Sequence, residues 1–168
     1  MDTFDTMSTA STAEGRLTPT HTVATEDYDP RKLVESIPAP GCTFIIRHRE
    51  TGRIIALVDG ELRLCDGNGI RDGFHWRCVR KDGWLGFRNS VSGTYIGRYD
   101  ESKRYVANAK KHLGHEYFNL LPNRKGGYEF LTRHGDKQWS MAVAEDGATL
   151  IEVKGEGEGA LWDFLEPY

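Results

Sequence analysis

The chain has no apolar run approaching the roughly 20 residues that a membrane-crossing helix needs. Its first residues, Met1-Asp2-Thr3-Phe4-Asp5, offer neither a basic nor an apolar leader segment. Neither membrane insertion nor secretion is expected. No Asn-x-Ser/Thr acceptor for glycosylation occurs. Cysteine is scarce: Cys42, Cys65 and Cys78 are an odd number, and no two stand at the two-to-four-residue spacing of a zinc pair. They read as small buried hydrophobes in a reducing cytoplasm. Catalytic signatures are missing too. There is no Gly-x-Ser-x-Gly, and Gly67-Asn68-Gly69 matches neither a Walker loop nor a dinucleotide fingerprint, so it reads as a turn. No cofactor is expected, and a non-enzymatic role is the main reading.

What is present suits one globular domain: 168 residues, 38% hydrophobic and 28% charged. The net charge of −3 is unevenly placed. Residues 1–40 carry seven acidic and three basic side chains, Arg98–Lys111 five basic and two acidic, and Glu145–Tyr168 seven acidic and one basic. A bipolar surface is expected. With so acidic a C-terminal stretch, nucleic acid is not an expected partner.

Self-similarity organises the sequence. Trp76-Arg77-Cys78-Val79, Phe118-Asn119-Leu120-Leu121 and Trp162-Asp163-Phe164-Leu165 share one pattern, an aromatic, a polar residue and two apolar ones. The aromatics are 42 and 44 residues apart. Arg47-His48, Arg88-Asn89 and Arg133-His134 each follow an apolar run at separations of 41 and 45. Three units of some forty residues, each with roughly four short strands, cannot close a sheet singly but can do so around a pseudo-threefold axis. The expected fold is therefore an all-β β-trefoil of three pseudo-repeats.

The middle unit carries a resemblance. Tyr95-Ile96-Gly97, then Val106-Ala107-Asn108-Ala109, then Glu116-Tyr117-Phe118-Asn119-Leu120 resembles the repeat of the fascin-like, actin-cross-linking β-trefoils. That resemblance implies binding of filamentous actin through basic residues, for which Lys103, Arg104, Lys110 and Lys111 are the candidates here. Fascins join four trefoils, whereas this chain has room for one.

Along the chain, residues 1–28 form a Thr/Ser-rich acidic arm whose composition predicts flexibility. Residues 29–40 hold an N-cap, a proline at the first helical position and a proline stop, predicting a helical turn or two anchored by Leu33, Val34 and Ile37. The trefoil domain spans 41–168. Asp59-Gly60 and Asp146-Gly147 are predicted hairpin tips.

Several residues are candidates for ligand contact. His112 and His115 with Glu116 have too little specificity to predict a metal site. His48 and His134 occupy matching positions of units one and three, so symmetry could bring them together, and His75 lies beside Trp76. Trp84, Tyr95 and Trp139 could serve as sugar-stacking platforms, although the Gln-x-Trp repeat of ricin-type lectins is missing. The alternatives to a protein-binding scaffold are thus a carbohydrate-binding trefoil, a protease inhibitor, or a small-molecule enzyme whose pocket the arm covers.

Overall fold

The computed structural model describes residues 27–167. Of the expected arm, all but Asp27 and Tyr28 lies outside the described residues. A short strand, β1 (Leu33–Glu35), precedes three units of four strands. The first unit is β2 (Thr43–His48), β3 (Ile54–Val58), β4 (Glu61–Cys65) and β5 (Trp76–Lys81). The second is β6 (Trp84–Asn89), β7 (Tyr95–Tyr99), β8 (Arg104–Ala109) and β9 (Phe118–Pro122). The third is β10 (Tyr128–His134), β11 (Lys137–Val143), β12 (Leu150–Lys154) and β13 (Leu161–Pro167).

The first and last strands of each unit pair in a ring: β2 with β5, β5 with β6, β6 with β9, β9 with β10, β10 with β13, and β13 back to β2. Every pairing is antiparallel, and closure leaves the ring no unpaired edge. The inner strands form three hairpins, β3–β4, β7–β8 and β11–β12. These meet through the Ile151–Arg104 pairing and two backbone bonds, Leu64 N–H to Ala148 O at 2.8 Å and Glu152 N–H to Lys103 O at 2.9 Å. Among the described residues no helix is long and apolar enough to cross a membrane.

The repeat pattern specifies the core. Trp76, Phe118 and Trp162 are all fully buried. Phe130 sits among Phe118, Phe87 and Phe164, with ring centroids 4.6, 5.1 and 5.8 Å away. Phe44 packs edge-on against Phe164 at 5.8 Å. Cys78 lies in this core, and burial pushes its thiol up to about 11, which makes it a hydrophobe in practice. Asp59-Gly60 turns as expected: both residues have positive φ, 51° and 80°, the twist that a two-residue hairpin needs.

Two expectations for the segment before the barrel are corrected. Only one 3-10 turn forms, Pro30–Lys32, capped by the Asp29 carboxylate. The chain then extends as β1, which pairs with β13 from Leu33–Pro167 to Glu35–Leu165. Pairing with an available strand satisfies backbone groups that a short isolated helix would leave to water. Val34 and Ile37 accordingly remain exposed instead of anchoring anything. In addition, Tyr28 belongs with the domain rather than with the arm, because its ring packs edge-on against Phe74 at 6.0 Å.

A charge cluster fastens this strap. The Asp163 side chain on β13 is 1% exposed and accepts from Arg47 Nη2 at 2.8 Å and Nε at 3.2 Å, and from Arg49. Glu35 of β1 accepts from the same two arginines on their exposed side. The buried carboxylate is thus compensated by two guanidinium groups, which lets it sit at the barrel wall.

Candidate functional site

Where units two and three adjoin, a cleft of about 700 Å³ opens. Its lining includes Trp84, Arg98, Leu113, Glu116, Tyr117 and Arg133. Local turn chemistry places Trp84: Asp82 and Gly83 both have positive φ, 53° and 82°, so β5 reverses tightly and Trp84 stands opposite Lys81 at the head of β6. Pairing of Leu85 with Phe118 puts Phe118 in the core with half-buried Leu85 packed against it, while their neighbours Trp84 and Tyr117 emerge as a diagonal pair. Their rings are nearly parallel, with centroids 6.0 Å apart and planes 9° from each other.

Polar groups converge on the aromatic pair. The Arg133 guanidinium lies 5.9 Å from the Trp84 ring, and its Nε donates to Gly135 O at 2.6 Å. Tyr117 donates its hydroxyl to Asp82 at 3.3 Å. Asp100 pairs with Arg98 and accepts from His115 Nε2 at 3.1 Å. Arg98 Nε is buried without a hydrogen-bond partner among the described residues. Leu113, half exposed, adds an apolar rim.

Two glycines let the 112–117 segment lie flat against the barrel. A Cβ on Gly86 would collide with the His112 ring, and one on Gly97 would stand 2.6 Å from Glu116 Oε2. His112 Nε2 donates to Leu85 O at 3.1 Å, and its ring stacks on Tyr95 at 5.5 Å. His112 and His115 therefore bond separate partners, Leu85 O and Asp100. Glu116 is buried and accepts from Leu113 N–H at 3.2 Å.

Desolvation raises the Glu116 carboxyl above its ordinary 4.5. A raised acid contributes stability below its unfolded value and loses that contribution as pH rises through its folded value. Relative to Glu116→Gln, the wild type is expected to lose urea resistance as pH rises from below 4.5 to neutrality. Parallel urea midpoints for the two proteins across that range would show that the carboxylate carries no burial penalty.

A second cleft, of about 450 Å³, includes Asp136, Lys137, Gln138, Trp139, Lys154 and Glu156 in its lining. His134 stacks against Trp139 at 4.4 Å, and its Nε2 bonds the fully buried Glu152 side chain at 2.6 Å. The same carboxylate oxygen accepts from Thr132, whose hydroxyl also bonds Tyr105.

The sequence-derived candidates are thus dispersed. Trp84 and Trp139 reach open clefts, whereas half-buried Tyr95 supports the first cleft from behind through His112. His75 lines a separate crevice with Tyr28, Leu33, Ile45 and Phe74. His48 is buried against Trp162, bonds Thr51 Oγ1 at 2.7 Å, and is held below its ordinary basicity by desolvation. His48 and His134 are not brought together. His48 pairs with Trp162 and Trp162 with Tyr128, which leaves His134 six residues farther along β10, roughly 20 Å on at strand spacing. The four basic candidates also divide. Lys103 and Arg104 stand at one end of β8 and Lys110 and Lys111 beyond the other, again roughly 20 Å apart. Tyr117, Arg98, Arg133 and Leu113 were not singled out by sequence. The outward position of Tyr117, one residue before the repeated Phe118, was the available signal.

No protein-family model and no curated protein sequence matches the chain. Solved structures do. A designed threefold-symmetric protein, ThreeFoil, superposes with a TM-score of 0.61 at 16% identity, over 75% of this chain and 99% of that one. The Macrolepiota procera ricin B-like lectin, solved in complex with lactose, gives 0.63 at 12% identity over 79% and 100%. A Clostridium perfringens endo-β-galactosidase that releases GlcNAcα1-4Gal gives 0.63 at 18% identity over 75% of this chain and 32% of the enzyme. With the closed six-stranded ring and its three hairpins, these likenesses establish the class: the chain is a β-trefoil. At such identities they establish the fold alone.

Proposed function

We infer that this trefoil is a lectin-type binding module whose principal site is the Trp84 cleft. The observation that carries the reading is the convergence of the parallel Trp84–Tyr117 pair with Arg98, Arg133 and the Glu116 carboxylate in one open cleft. A saccharide presents apolar C–H faces beside a rim of hydroxyls, and such a site offers aromatic surface beside donors and acceptors. The cleft lies within the usual size range of small-ligand sites. The trefoil neighbours include a lectin solved with lactose and a glycan-releasing enzyme, which agrees with this reading.

Filamentous actin, the partner that the fascin resemblance implies, has less support. The candidate basic residues form two separate pairs, and Lys110 already donates to Ser92 O at 3.1 Å. Lactose is therefore the first probe. Its titration should change the intrinsic tryptophan fluorescence of the wild type, and Trp84→Ala should weaken binding by roughly tenfold or more, the scale of a lost aromatic anchor. Undiminished binding in a folded Trp84→Ala protein would remove the site. Failure of lactose and of a panel of other neutral glycans to bind would remove the function.

A further inference from the structure

We propose that the Trp139 cleft is a second saccharide site and that it selects an acidic sugar, a hexuronate whose carboxylate lies between Lys103 and Lys154. The proposal rests on the lectin-type reading above but concerns a different cleft and a narrower ligand class.

Two ammonium groups converge on one indole. Lys103 Nζ is 5.2 Å and Lys154 Nζ 5.9 Å from the centre of the Trp139 ring. Among the described residues neither lysine is in an ion pair. Both ammonium groups stand beside the same ring, so an anion placed there gains charge-assisted hydrogen bonds from them.

The two lysines come from different hairpins, and the fold fixes both. Lys154 is the register partner of Trp139 across β11 and β12. Lys103 stands in the β7–β8 turn with φ of 57°, a left-handed conformation uncommon for a residue with a Cβ. Its carbonyl accepts from Glu152 N–H at 2.9 Å, which ties that turn to the third unit and delivers the side chain to Trp139. A sparsely populated backbone conformation at a residue whose ammonium stands beside the Trp139 ring is a pointer toward function.

The rest of the cleft suits a sugar ring. The indole is braced by His134, itself fixed by buried Glu152, so the platform is held before any ligand arrives. Gln138 Oε1 is buried without a partner among the described residues, leaving an acceptor for a sugar hydroxyl. Asp136 and Glu156 also line the cleft. They supply further acceptors, and they disfavour an anion anywhere except at the lysines.

The test uses the full chain with three probes: methyl β-glucuronide, uncharged methyl β-glucoside, and lactose. The Trp139 indole N–H resonance, assigned through its loss in Trp139→Phe, should shift with the glucuronide. The glucoside should bind roughly tenfold or more weakly, as should the glucuronide to a Lys103→Ala/Lys154→Ala protein. Glucuronide affinity should also fall as salt is raised from about 0.05 to about 0.5 M. Thermal unfolding of the double variant should match the wild type, since both lysines are removed from the surface. Equal binding of the two glycosides, or unchanged glucuronide affinity in the double variant, would overturn the proposal. Lactose binding that depends on Trp84 would then still stand, so the two readings fail separately. Glucuronide binding at Trp139 with no lactose binding would support the acidic-sugar site and discard the neutral one.

Discussion

Phe130→Ala is expected to cost about 3–5 kcal/mol, the usual range for deleting a buried aromatic ring and leaving a cavity. Phe130 is fully buried and is met by Phe118, Phe87 and Phe164, which come from the second and third units. Those neighbours are held on closed barrel strands, so they cannot readily collapse into the void. A domain of this size has only about 5–15 kcal/mol of stability, so the variant should unfold at a far lower urea concentration or fail to accumulate. Phe130→Leu keeps most of the volume and should cost much less. A Phe130→Ala protein with a near-wild-type urea midpoint would mean that the aromatic cluster does not hold the units together.

The second large effect is expected at the cleft. Gly86→Ala adds one methyl group to β6 where the His112 ring already sits. Neither group has room to move. Gly86 lies on a barrel strand, and His112 is held by Leu85 O and by its stack on Tyr95. Overpacking of this kind costs about 1–3 kcal/mol. The displacement should pass directly to Leu113–Tyr117, so lactose affinity should fall along with the urea midpoint. Gly114→Ala, in the same segment, provides the control. A Cβ there meets nothing within 4 Å and φ is not left-handed, so stability should stay within about 0.5 kcal/mol of wild type. Similar behaviour of the two variants would show that His112 does not position the cleft.

Local rules made much of this fold legible in the sequence. The three aromatic positions Trp76, Phe118 and Trp162 marked the repeat period, and all three lie in the core because a period-two strand with an inward aromatic has few other places to put it. Asp59-Gly60 announced its turn through the backbone geometry that this dipeptide favours. The segment at 29–40 was misleading, since its capping residues do form a 3-10 turn but β13 then recruits Leu33–Glu35 as a strand. Pairing between residues 130 or more apart leaves no trace in a local pattern.

The candidate sites divide along the same line. Spacing and composition were enough for the repeat, the strand order within each unit and the repeated core aromatics, and they marked Trp84, Tyr95 and Trp139 alike as candidate stacking platforms. The pairing of distant strands is what joins Tyr117 and Arg133 to Trp84, carries Lys103 from one hairpin to Trp139 on another, and keeps His48 and His134 apart. The physical reason is that burial and turn geometry act over a few residues and write themselves into composition and spacing. Barrel register and the meeting of hairpins instead set distances between residues that carry no local mark of each other.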